Sequence, residues 1–133
     1  MEEKRNNMPM LGQKAPRFIA DSTFGPLKLT DYMGKWLIFF SHPNDFTPVC
    51  TTEIISFAKY NDEFEKRNCS LLGLSVDSCP SHLAWIKNIE ENTGISIPFP
   101  IISDINKEIA KMYGMLFDVN NNTSTVRNVF FID

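Results

Sequence analysis

The chain has 133 residues and a formal net charge of −3, with a pI near 5.4. That length predicts one domain able to bury a core without disulfide staples. The acidic balance argues against a general nucleic-acid binder, and no apolar run approaches the roughly 20 residues that span a bilayer. Hydrophobic residues at 43% and charged residues at 22% are an ordinary globular mix, which disfavours disorder and coiled coil. The opening MEEKRNNMPML has no apolar signal core, so the expected location is cytoplasmic.

Residues 1–15 read as an irregular lead-in, and Phe24–Leu29 (FGPLKL) as part of a short hairpin or loop. Trp36–Phe40 (WLIFF) is a continuous apolar run, as a strand buried on both faces requires. A loop with two prolines, SHPNDFTPVC, follows. From Thr51 to Arg67, Ile54, Phe57, Ala58 and Phe64 recur near helical spacing, while Lys59, Asp62, Glu63, Glu65 and Lys66 fill the other side. One amphipathic helix is predicted there. Leu71–Val76 is a second buried strand. Pro80 opens a helix over Ser81–Asn92, which Gly94 ends. Phe99–Ile102 is a short strand, and Asp104 caps a helix over Ile105–Tyr113 that Gly114 closes. NNNTST (120–125) is a turn, and Val126–Ile132 is the last strand.

Strands alternating with helices predict an α/β fold, with a mainly parallel sheet between helices. Ligands in such folds gather at the carboxyl ends of the strands. The loop 41–50 sits at that rim. The chain ends at Asp133, directly after an apolar strand. The expectation is therefore a fragment, or a domain without its last elements.

Three cysteines, Cys50, Cys69 and Cys79, form no CxxC. An odd number without that motif speaks for a reduced chain rather than a disulfide scaffold. Thr47 suits a helix N-cap, Pro48 the first helical position and Cys50 the first turn. Free N–H groups and the helix dipole favour an anion there, and the thiolate is the nucleophilic form of cysteine. A cation would complete such a site. Arg127 is the candidate, provided the last strand lies beside the central ones. A lone cysteine at a helix start is equally a small buried residue, and the residues alone leave both readings open. Cys69 reads as structural. Cys79 shares the rim with Cys50 and reads as a cap, a buried residue or an unusual resolving partner. The histidines and cysteines match no zinc spacing, so neither metal nor cofactor is expected. His82 reads as a packing or surface residue. Phe46 beside the site reads as core, an apolar collar or a subunit contact.

PNDFTPVC (Pro43–Cys50) resembles the peroxiredoxin signature Pro-x-x-x-Thr-x-x-Cys, and FSHPNDFTPVCTTE (Phe40–Glu53) resembles the peroxiredoxin 6 type. GLSVDS with SHLAW, IPFPIISD and TVRNVFFID match in the same order, so the likeness runs from about Leu11 to the end. The resemblance implies a thioredoxin-like fold with a central mixed sheet flanked by helices. It also implies thiol-dependent reduction of hydrogen peroxide and organic hydroperoxides. By that likeness Cys50 is the peroxidatic cysteine, Thr47 orients the peroxide, and Arg127 is the activating arginine. Pro43 shields the site, His42 contacts substrate, and Glu53 orients the arginine. The implied reductant is thioredoxin, glutaredoxin or a small thiol. The implied assembly of a full-length chain is a homodimer or higher ring. A thiol–disulfide relay on the same fold is the rival class, against which the missing CxxC counts.

Overall fold

The computed structural model describes residues 9–116 and 125–133. The predicted lead-in and the 120–125 turn therefore fall partly outside the described residues. The elements are β1 (Ile19–Ala20), β2 (Leu27–Lys28), a 3-10 helix (Leu29–Tyr32), β3 (Trp36–Ser41), α1 (Pro48–Lys59) and α2 (Asn61–Lys66). Then come β4 (Cys69–Ser75), α3 (Cys79–Thr93), β5 (Ile101–Ser103), α4 (Glu108–Met112) and β6 (Asn128–Ile132). β1 and β2 form an antiparallel pair around the Gly-Pro turn. The main sheet has the order β5-β4-β3-β6. β3 pairs parallel with β4, and β4 parallel with β5. β6 runs antiparallel to β3, so the sheet is mixed.

The apolar run of β3 has the reason the sequence suggests, since successive side chains point to opposite faces and both faces are covered. Leu37 and Phe39 pack with Phe18, Leu72, Leu74 and Tyr113 under α4 and the β1–β2 hairpin. Ile38 and Phe40 pack on the other face with Ile54 of α1, Trp85 and Ile89 of α3, and Cys50. Cys50, in the first turn of α1, is thus seated in this core layer with its side chain turned inward.

Two predicted helices differ. The span Thr51–Arg67 is two helices, because Tyr60 leaves helical geometry at φ −99°, ψ 7°. The break lets Phe57 and Phe64 both pack against the face that holds Ile38 and Phe40. The helix predicted over Ile105–Tyr113 is shorter. A turn follows Asp104, and Lys107 adopts φ 61° before α4 begins. Asp104 still caps, reaching past that turn to accept from the Ile109 and Ala110 N–H groups at 3.2 and 2.7 Å.

Gly73 of β4 faces the Phe40 ring, which stacks on Phe57 of α1 at 4.3 Å between centroids. A Cβ at Gly73 would lie 3.2 Å from Phe40 Cε2 and 3.5 Å from Ile101 Cγ1. Gly73→Ala is therefore expected to lower stability by about 1–2 kcal/mol through overpacking. A denaturant midpoint equal to that of the parent would refute this.

Candidate active site

The parallel strands β3, β4 and β5 all end at one edge, in Ser41, Ser75 and Ser103. The loop 42–47 leaves that edge and leads into α1. It is fastened at several points. The His42 N–H donates to the Leu74 carbonyl at 3.0 Å. The Thr125 hydroxyl donates to the His42 carbonyl, and the Asp45 N–H donates to the Asp77 carboxylate at 2.7 Å. Phe46 is half-exposed at φ 67°, a strained conformation for a bulky residue that only a well-fastened loop retains.

Thr47 occupies the N-cap of α1, in extended geometry, with Pro48 at the first helical position. Its hydroxyl does not cap the helix. It donates instead to the Asn44 carbonyl at 3.3 Å. Cys50 follows in the first turn and is 1% exposed.

Arg127 lies 77 positions away in sequence, yet its Nη2 stands 3.3 Å from Cys50 Sγ. The sheet register explains this. Asn128 pairs with Ser41, so the residue before it lies beside the carboxyl end of β3. The Ser41 hydroxyl donates to the Val126 carbonyl and ties the approach of the strand. Arg127 Nε donates to Glu53 Oε1 at 3.0 Å. That bond first, and the nearby Cys50 sulfur after it, raise the affinity of the guanidinium for its proton. Glu53 thus holds the fork, and a permanent positive charge faces the sulfur. Pro43 is half-buried in the loop.

His42 is buried, and its Nε2 meets Asp45 Oδ1 at 2.7 Å. Burial alone would push the Asp45 carboxyl up. Hydrogen bonds from His42 and His82, with their charges, outweigh it and hold the carboxyl at about 2. His82 is fully buried rather than at the surface, with Nδ1 2.7 Å from Asp45 Oδ2 and Nε2 3.0 Å from the Ile102 carbonyl. The sequence reading missed Asp45, Asp77, Ser81 and this role of His82. The local signal was weak: an acid three residues after His42, and a histidine in the first turn of a helix.

Ligating atoms of His42, Asp45 and His82 lie within 4.8 Å of one another. This is the described grouping with the donor chemistry for a transition metal. Tetrahedral zinc ligands stand about 3.3 Å apart, whereas both nitrogen–oxygen separations are 2.7 Å. Those are lengths of charge-assisted hydrogen bonds that each hold a proton.

Because the Asp45 carboxyl sits below its unfolded value of about 4, it stabilises the fold above pH 4. That contribution of about 2 kcal/mol is lost as the pH falls from 4 towards 2. Denaturant midpoints of the parent are expected to drop more steeply across this window than those of Asp45→Asn. Parallel drops would refute it.

Cys50, Cys69 and Cys79 are all free thiols. Cys69 opens β4, and burial pushes its thiol up, which disfavours the reactive form. Cys79 begins α3 and does not cap it. The Ser78 hydroxyl does, accepting from the Ser81 N–H at 3.2 Å.

A cleft of about 520 Å³ flanks the Arg127–Glu53 pair, walled by Phe40, Phe57, Tyr60 and Phe64. A larger one of about 910 Å³, between residues 9–15 and β6, holds none of the residues around Cys50.

Residues 11–133 match the AhpC/TSA family. The chain belongs to that family. It is 59% identical over 126 residues to Peroxiredoxin 2 of Caldanaerobacter subterraneus subsp. tengcongensis, covering 95% of this chain and 57% of that protein. It is 57% identical to Peroxiredoxin of Aquifex aeolicus, covering 96% and 58%. This AhpC/TSA chain thus spans somewhat over half the length of these relatives. A yeast mitochondrial 1-Cys peroxiredoxin, studied for thiol resolution via glutathione/thioredoxin systems, superposes with TM-score 0.85 at 45% identity, covering 95% and 63%. Peroxiredoxin 6 of Arenicola marina gives 0.84 at 39% identity, covering 93% and 60%. The architecture is the thioredoxin-like fold of these peroxiredoxins. Among the described residues, no helix is long and apolar enough to cross a membrane.

Proposed function

We propose that the chain carries the peroxidatic centre of a thiol-dependent peroxidase acting on hydrogen peroxide and organic hydroperoxides. The observation that carries this reading is the Cys50 sulfur, buried in the first turn of α1, 3.3 Å from the Arg127 guanidinium. The Cys50 thiolate attacks one peroxide oxygen in line with the O–O bond. An S–O bond forms as the O–O bond breaks. The sulfur loses two electrons and becomes sulfenic acid, while the departing oxygen takes a proton and leaves as water or alcohol. Arg127 and the N–H groups at the start of α1 face the developing negative charge, and the Thr47 hydroxyl aligns the peroxide. An external thiol then attacks the sulfenic sulfur and releases water, and a second thiol frees Cys50 from the mixed disulfide. Thioredoxin, glutaredoxin or a small thiol suits the second half. The reading extends to a cytoplasmic antioxidant role, in a homodimer or higher ring.

The test is rapid mixing of reduced protein with one equivalent of hydrogen peroxide. The expected result is fast loss of one thiol of three, trapped by a sulfenic-acid reagent on Cys50. Loss at the rate of an ordinary free thiol would refute the reading.

A further inference from the structure

SHLAW (Ser81–Trp85), in the first turns of α3, has no role in the chemistry above. In the fold, three of its side chains reach the peroxidatic loop and α1. The Ser81 hydroxyl donates to Asp45 Oδ2 at 2.9 Å. His82 meets the same oxygen at 2.7 Å. Trp85 Nε1 donates to the Thr51 hydroxyl at 3.0 Å, next to Cys50, and its ring lies 4.9 Å from that of His42. The protons follow from the partners. The Ile102 carbonyl only accepts, so His82 Nε2 carries a hydrogen. An ionised carboxylate also only accepts, so His82 Nδ1 and His42 Nε2 carry hydrogens towards Asp45.

We propose that His82 is a positioning residue for the Cys50 site: anchored on the end of β5, it fixes the Asp45 carboxylate and, through it, the ring of His42 and the loop that delivers Thr47 and Cys50. The chain of contacts runs Ile102 carbonyl, His82, Asp45, His42, and every side chain in it is buried. Asp45 stands two positions before Thr47, so a tilt of its carboxylate moves the N-cap of α1. In-line attack tolerates little misplacement, and an error near 1 Å costs on the order of 100-fold. His82 touches neither sulfur nor peroxide in this scheme. The inference about rate rests on the peroxidase reading. The inference about placement does not.

Three substitutions separate the two arms of the imidazole. His82→Asn puts an amide N–H where Nδ1 was and keeps the Asp45 arm. His82→Gln puts one where Nε2 was and keeps only the Ile102 arm. His82→Leu keeps neither. Two quantities are read on the full chain: the second-order rate of sulfenic-acid formation with hydrogen peroxide, and the buried His42 Nε2–H resonance in histidine-labelled protein. His82→Gln and His82→Leu are expected to lose 10- to 100-fold in rate and to broaden the His42 resonance by exchange. His82→Asn, which keeps the Asp45 arm but loses the anchor on β5, is expected to lose only about three- to tenfold and to broaden the resonance less than the other two. Equal loss in all three variants, or in none, would overturn the proposal. Should the parent form no sulfenic acid, the peroxidase reading fails, while the His42 resonance still decides placement. Ser81→Ala removes one bond to the same Asp45 oxygen and serves where the His82 variants do not fold. About threefold slower oxidation with faster exchange at His42 supports the proposal there, and unchanged exchange overturns it.

Discussion

Cys50→Ser is expected to abolish reaction with peroxide while leaving the fold in place. Serine is close to cysteine in shape, and the residue is only 1% exposed on the inward face of α1, so packing changes little. The hydroxyl gains a donor in the Arg127 guanidinium, which limits the cost of burying it to about 1 kcal/mol. Chemistry changes far more. A serine hydroxyl stays protonated at neutral pH and offers no thiolate to attack oxygen. Rapid mixing with one equivalent of peroxide is expected to show no sulfenic acid, and the two remaining thiols, Cys69 and Cys79, should react only at the rate of ordinary thiols. A melting curve recorded beside it should match the parent within a few degrees. Rapid sulfenic-acid formation in the variant would move the site to another cysteine and sink the assignment.

Arg127→Leu is expected to slow the same step by about 100- to 1,000-fold, the usual cost of removing one donor aimed at developing charge. The guanidinium stands 3.3 Å from the sulfur and is held by Glu53 at 3.0 Å. Arg127 and Glu53 are each near half-exposed, so their pair adds little to stability and the melt should hold. Arg127→Lys keeps the charge but not the fork that serves Glu53 and Cys50 together, so an intermediate rate is expected. Both rates come from sulfenic-acid trapping under excess peroxide. A leucine variant within threefold of the parent would mean that the helix start alone activates the sulfur.

Much of this was legible in the chain itself, because short-range physics writes it there. A five-residue apolar run needs two covered faces, and β3 has them. Thr-Pro before Val-Cys marks a helix start, and α1 begins at Pro48 as that pattern requires. Helix ends were less legible. The break at Tyr60 and the late start of α4 depend on what the next turn packs against: Phe64 does not announce its partner locally, and Asp104 announces its capping role but not the turn it reaches across. The Thr47 hydroxyl likewise turns to Asn44, a choice between two nearby acceptor geometries that the residue type does not settle.

The site divides in the same way. By itself the sequence determined the α/β order, the loop at the strand ends and the nucleophile candidate, since each rests on neighbours within a few residues. The family signature rests on the same local string. Only the tertiary structure decided that β6 runs antiparallel to β3 and so delivers Arg127 to Cys50. Only it brought His82 from α3 to Asp45, 37 positions away. Strand direction and side-chain meeting are set by burial summed over the whole sheet, and no local pattern of residues carries that sum.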